Sequence, residues 1–324
     1  MLRTRLTSLL GVDHPVALGG MSRATSPALV AAVSGAGGLG IQGCTGRSAD
    51  EVAHLAAEIR SRTDRPFGLN LLLFLSGDAA IDGALAARPA VFSTAWARAD
   101  QDLGGIFARA HDAGAKVVHM VSTVEEARRA AAAGADAIVA QGTEGGGHVG
   151  VMGTMVLVPM VERAVAPIPV LAAGGIADGA GLAGALMLGA EGVLLGTRFL
   201  ATPEAPVEDV YKRAIVESDG HDTLVTEIPD VASGTVWPGA YVRVLRNRAL
   251  ERWLGREGEL RYRKVEVSRA AAAARQAGDL EESFLAFGAT AGLIDSIEPA
   301  GELVRRIAAE AEAIIRERAG SLGG

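Results

Sequence analysis

Short apolar runs ending in glycine or a polar residue recur along roughly the first two hundred positions, a spacing typical of strand–helix units. They are PVALGG from Pro15, LGIQG from Leu39, FGLNLLLF from Phe67, AVFSTAW from Ala90, KVVHMVS from Lys116, AIVAQG from Ala137, PVLAAGG from Pro169 and GVLLGTRFL from Gly192. Between them lie alanine-rich stretches with apolar residues every three or four places, such as SPALVAAVSGAGG, SADEVAHLAAEIRSRT, TVEEARRAAAAGA and DGAGLAGALMLGA. Several of these open on a helix cap: Ser26 before Pro27, Ser48 before Asp50 and Glu51, Thr123 before Glu125 and Glu126. The runs are apolar on both faces, as parallel strands under an outer ring of helices should be. Eight such units predict an α/β protein with a (β/α)8 TIM barrel, an open doubly wound sheet being the alternative.

After Leu200 the rhythm changes. From Thr202 to about Gly278 the chain is charged and helix-like (YKRAIVESDG, YVRVLRNRALERWLGREGELRYRK, SRAAAAARQAG) and holds two of the three tryptophans. The expected division is a barrel over residues 1–203, an inserted helical subdomain over 204–282, and a loop with a C-terminal helix over 283–324 that returns to the barrel. The final SLGG is expected to fray.

Composition narrows the function classes. With 324 residues, 49% of them hydrophobic, the chain can bury a large core, which excludes disorder as its dominant state. A net charge of -7 supplies no basic face for nucleic acid. The longest apolar region, Val149 to Leu171, is broken by Glu162, Arg163 and three prolines, so no membrane span is expected. No secretory signal is seen, and the single cysteine, Cys44, excludes an internal disulfide framework. These features predict a cytoplasmic protein acting on a small-molecule substrate, with self-association as a homo-oligomer left open.

The stretch AIVAQGTEGGGHVG, Ala137 to Gly150, carries the strongest chemical signal. A glycine triplet lets backbone amides approach a flat or phosphorylated ligand, and His148 follows it with a side chain that exchanges protons near neutral pH. Barrel active sites sit where strands end, as this turn does. Gly174 and Gly175 after the seventh strand, and Gly196 and Thr197 after the eighth, stand where barrels build phosphate sites from amides and a helix N-terminus. Asn70 is a polar residue in an apolar strand, either a satisfied structural amide or a ligand for a heterocycle. Gly19-Gly20-Met21-Ser22 is either a plain turn or a backbone contact. Gly35 to Gly40 fits G-x-G-x-x-G letter for letter, but a helix precedes it and a strand follows, the reverse of a dinucleotide site. His54 and His111 fall on predicted helices, and no zinc constellation emerges.

Taken in order, Gly19-Gly20-Met21-Ser22, SPALVAAVSGAGGLG, FGLN, AQGTEGGGHVG, IPVLAAGGIADG and GAEGVLLGTRFL resemble the motifs of the nitronate monooxygenase family, formerly 2-nitropropane dioxygenases. The resemblance runs from Val16 to Ala201, and FGATAGLI is similar to a family loop near the active site. It implies FMN across the barrel mouth under a substrate-covering helical domain. Gly174, Gly175, Gly196 and Thr197 would hold the phosphate, Gly20, Met21 and Asn70 would meet the ring region, and Gln141, Gly145 and Gly146 would line its other side. His148 would face the substrate as the catalytic group, and Thr290 would be a substrate-site residue standing for a serine of the tail loop. The implied reaction is oxidation of an alkyl nitronate with dioxygen to a carbonyl compound and nitrite. Flavin-dependent enoyl-ACP reductases share these motifs, so an NAD(P)H-dependent enoyl reductase is the alternative, and a flavin-binding protein without turnover is a third reading. Met120 stands where some members carry a flavin-stabilising lysine, and AWARAD lacks the glycine-proline turn expected after strand four.

Overall fold

Eight parallel strands form the centre of the protein, in the computed structural model that describes residues 2–322. They are β1 (Val16–Leu18), β2 (Gly40–Gly43), β3 (Phe67–Leu72), β4 (Val91–Ala95), β5 (Lys116–Val121), β6 (Ala137–Gln141), β8 (Val170–Ala173) and β9 (Gly192–Leu195), while β7 (Gly147–Val149) stands apart. The ladder runs β1-β9-β8-β6-β5-β4-β3-β2, and an Ala17–Leu39 bridge joins its two ends into the closed (β/α)8 barrel. Every predicted barrel strand is present. The run GVLLGTRFL is strand only to Leu195; Gly196 then starts a short helix, Thr197–Leu200, so the expected strand was too long.

The predicted caps form. Ser26 accepts from the Leu29 N–H with Pro27 in the first turn, and Ser48 with Glu51 and Thr123 with Glu126 make reciprocal capping boxes. Inside the barrel, Leu6 and Leu10 of the helix Arg5–Leu10 pack with Leu39, Ile41, Val139 and Leu171. A fully buried leucine contributes about 1.5–3 kcal/mol, so this plug anchors the end of the barrel opposite the strand C-termini. Gly35 to Gly40 is a helix-to-strand turn, and a side chain on Gly38 would sit 2.8 Å from the Val16 carbonyl. Close packing accounts for Gly38 and Gly40, and a left-handed backbone for Gly37.

The closing helix, Ala300–Leu322, lies against Gly179–Met187 and Pro27–Gly35. Gly179 allows the approach, because a Cβ there would lie 2.7 Å from the Ala311 nitrogen. The helix takes in Ser321 and Leu322 of the tail expected to fray, and Gly323 and Gly324 lie outside the described residues.

The insertion differs from its sequence reading. It holds helices, among them Asp209–Glu217 and Glu257–Gln276, but also β10 (Thr223–Thr226) and β11 (Tyr241–Leu245). These pair antiparallel, and β11 also pairs with β7. In YVRVL, Val242 and Val244 are buried while Tyr241 is exposed, the period of a half-buried strand; the charged helices that follow masked it. Ile228, Val242, Val244, Leu250, Trp253 and Leu260 form the insertion's own core. Among the described residues no helix is long and apolar enough to cross a membrane.

Candidate active site

The chain leaving β6 turns tightly, with Gly142 donating to the Ala173 carbonyl and Gly145 to that of Gly142, before it enters β7. His148 is the central residue of β7, opposite Val242 of β11, so its backbone is fixed by the insertion's sheet. Its Nε2 lies 2.9 Å from Asp230 Oδ1, both side chains being largely buried. One ring face stacks on Trp237, with centroids 3.3 Å apart and planes at 12°. Trp237 in turn meets Phe74 at 4.6 Å and Trp96 edge-on at 6.0 Å. Trp96 directly follows β4 with φ of 54°, strained for a bulky aromatic, and its carbonyl accepts the Phe74 N–H. An imidazole therefore borders an aromatic wall built from two barrel loops and the insertion.

The candidate phosphate residues lie together at the ends of β8 and β9. Gly174 has φ of +87°, and a Cβ on it would sit 2.7 Å from the Gly142 carbonyl oxygen, so only glycine fits this turn. Thr197 Oγ1 accepts the Gly288 N–H at 2.9 Å and keeps its own proton to donate. A Cβ on Gly196 would lie 3.3 Å from Met21 Sδ, which brings the β1 turn to the same place. The N–H groups of Gly175, Gly196 and Thr197 have no acceptor among the described residues. The N-terminus of the helix after β8, in contrast, is already capped: Asp178 accepts from Gly181 and Glu310 from Gly179. The expected helix contribution there is thus taken by the protein's own carboxylates.

The ring-side candidates border the same mouth. Asn70 donates through Nδ2 to the Ser93 carbonyl and hydroxyl, and its Cγ lies 2.7 Å from where a Gly20 Cβ would be. Gln141 Oε1 is buried with no partner, a cost of about 1–3 kcal/mol that a ligand's hydrogen-bond donor would relieve. Gln141 Nε2 lies 3.3 Å from the place of a Gly145 Cβ, and a Cβ on Gly146 would run into Phe287 and Gly288. Thr290 is buried in the 3-10 turn Ala289–Leu293, whose Ala289 N–H donates to the Glu144 carbonyl; it makes no hydrogen bond to another candidate. Together these residues suit a ligand with a phosphate at one end and a flat polar ring at the other.

The sequence reading missed Asp230, Trp237, Phe74 and Trp96. Their one local signal was the tryptophan before a proline-glycine turn at Trp237. It missed Glu144 too, whose carboxylate accepts the Thr154 N–H and hydroxyl and so caps the helix Thr154–Val165, which Gly153 cannot do. Other titratable groups serve the fold. His119 is buried on Thr94 with its pKa pushed down to about 3 by desolvation, and burial pushes the Cys44 thiol up to about 12. Met120 packs beside the aromatic cluster, so that position carries no cation. No group of metal-binding side chains occurs among the described residues.

Comparison with known proteins places the chain among its relatives. A model of the family described as nitronate monooxygenase matches residues 3–104 and 77–310. The chain is 41% identical over 256 residues to (3aS,4S,5R,7aS)-5-hydroxy-7a-methyl-1-oxo-octahydro-1H-indene-4-carboxyl-CoA dehydrogenase of Mycobacterium tuberculosis, covering 78% of this chain and 68% of that protein. It is 33% identical to a nitronate monooxygenase of Paraburkholderia phytofirmans, covering 68% of this chain and 72% of the relative. FabK from Thermotoga maritima superposes with a TM-score of 0.88 at 38% identity, over 99% of this chain and 100% of that one.

Proposed function

The chain belongs to the nitronate monooxygenase family and is a flavin-dependent oxidoreductase, and from that premise we propose that it binds FMN and oxidises alkyl nitronates with dioxygen to a carbonyl compound and nitrite. Gly174, Gly175, Gly196 and Thr197 would hold the phosphate, with Gly20, Met21 and Asn70 on one side of the ring and Gln141, Gly145 and Gly146 on the other. The unpartnered Gln141 oxygen and the glycine-only turn at Gly174 support that fit. When bound, the flavin supplies two-electron chemistry, which dioxygen completes.

The protein's own part is to bind the anion, to orient it and to move a proton. The observation that carries the reading is His148 at the barrel mouth, with Nε2 held by Asp230 and Nδ1 free of protein partners among the described residues. With Nδ1 protonated it would donate a hydrogen bond to a nitronate, and with Nδ1 bare it would take the acidic proton beside the nitro group of a neutral nitroalkane. Phe74, Trp96 and Trp237 exclude water around it and give the substrate an apolar wall. Anaerobic mixing with ethylnitronate or propyl-1-nitronate tests the reading: bleaching of the flavin absorbance supports it, and an unchanged spectrum sinks it.

A second reading, hydride exchange on an acyl thioester as in enoyl reduction, is supported by the 41% identity to a carboxyl-CoA dehydrogenase, above the 33% to a nitronate monooxygenase. The aromatic wall suits a bulky apolar acyl group as well. Rapid flavin bleaching by NADH or NADPH, followed by reoxidation with an enoyl thioester, would favour it over the first.

A further inference from the structure

We propose that Asp230 is a positioning residue that sets which nitrogen of His148 does the chemistry, a role that rests on His148 being the proton-transferring group. A carboxylate can only accept hydrogen bonds, so at 2.9 Å from Asp230 Oδ1 the Nε2 atom carries the hydrogen in both the neutral and the charged imidazole. The lone pair of the neutral ring is left on Nδ1. That nitrogen then removes the proton: the substrate C–H bond breaks, its electron pair stays on the substrate, and an N–H bond forms at Nδ1. The imidazolium so made is stabilised by the carboxylate behind it.

Three independent restraints converge on this one ring. The backbone of His148 is paired with Val242, the ring plane is set by the Trp237 stack, and rotation within that plane is stopped by Asp230. Asp230 and Trp237 come from a single short segment of the insertion. The Asp230 carbonyl accepts the N–H groups of Gly234 and Thr235, folding the chain back so that Trp237 reaches the imidazole that the Asp230 side chain holds. His148 is also the only ion-pair partner of Asp230 among the described residues, so no structural arginine or lysine accounts for the carboxylate. A largely buried carboxylate beside an aromatic cluster is costly unless it is paired, and here its pairing is spent wholly on the imidazole.

The flavin-loaded protein, labelled with nitrogen-15 histidine, gives a readout that needs no turnover. The His148 ring signals are assigned by their loss in His148→Gln or in His148→Phe. Wild-type protein is expected to show a protonated Nε2 and a bare Nδ1 near neutral pH. Asp230→Leu is expected to populate the Nδ1–H form and to slow substrate-driven flavin bleaching by about 10²–10⁴-fold, with KM changed little. Asp230→Asn, which can offer either end of its amide to Nε2, is expected to give a mixed tautomer and an intermediate rate. A wild-type ring protonated on Nδ1, or an Asp230→Leu spectrum and rate identical to wild type, would overturn the proposal, and the assigned wild-type spectrum decides it even where the Asp230 variants do not fold. Should no substrate bleach the flavin while the Nε2–H signal is present and responds to Asp230→Leu, the activity reading falls and the positioning of the ring stands.

Discussion

Gly288 donates its main-chain N–H to Thr197 Oγ1 at 2.9 Å, a buried bond that ties the returning tail loop to the turn after the eighth barrel strand. Thr197→Val keeps the shape but strands the Gly288 N–H, at a cost of about 1–3 kcal/mol. It also removes the hydroxyl proton that, in the proposed site, would be offered to a phosphate. Weaker flavin retention and a lower unfolding midpoint are expected for Thr197→Val, with Thr197→Ser close to wild type, read by flavin titration and thermal melts. Equal retention in the valine and serine variants would contradict the assignment.

Gly174 combines a left-handed backbone with a neighbour where a side chain would begin. In Gly174→Ala the methyl must displace the Gly142 carbonyl, and φ of +87° is itself unfavourable for alanine. Destabilisation by about 1–3 kcal/mol and loss of bound flavin are expected together, because the same shift moves the turn proposed to hold the phosphate. Denaturant unfolding beside the absorbance spectrum of the purified variant checks this.

His148→Gln keeps a polar side chain in β7 but no group that exchanges protons near neutral pH. Flavin content should be unchanged and the anaerobic bleaching rate with a neutral nitroalkane should fall by about 10²–10⁴-fold. The loss should be smaller with the preformed nitronate, which has no proton to give up. Stopped-flow rates for the two substrate forms, compared in one variant, separate a base from a binding group.

Stability should depend on His119 in acid. Desolvation holds its pKa at about 3 in the folded protein, against 6.5 for an ordinary histidine, so between these values the unfolded chain binds a proton that the fold does not. The stabilising contribution is therefore complete above about pH 6.5 and is lost as pH falls towards 3. Denaturant midpoints should drop across that window in wild type and drop less in His119→Leu. Parallel curves for the two proteins would show that His119 is not the group responsible.

Cys44 is expected to be inert in the native state, since burial raises its thiol to about 12 and the thiolate is the reactive form. Alkylation monitored by mass should track unfolding and show no fast phase at neutral pH.

Much of the barrel was legible because its causes are local. Apolar runs, three- and four-residue periodicity and caps such as Ser48 with Glu51 involve neighbours a few positions apart. The same holds for the decoy at Gly35 to Gly40, which the order of helix and strand exposed without coordinates. YVRVL was absorbed into a helix because the charged helices that follow it masked its period of two, and its pairing with the distant β7 leaves no trace in neighbouring positions.

The chain alone therefore determined that there are eight strand–helix units, that glycines crowd the ends of the strands, and that His148 follows such a turn, while the closure of the units into a barrel through the Ala17–Leu39 bridge was seen only in the structure. Only the tertiary structure decided that Asp230 and Trp237 would grip that imidazole, that Gln141 would be left with an unmatched oxygen, and that Glu310 would cap a helix begun 131 residues earlier. The physical reason is range. Backbone periodicity and capping are set by residues within a turn or two of each other, whereas the partner of a side chain in a closed barrel is chosen by whichever distant segment the packing brings against it.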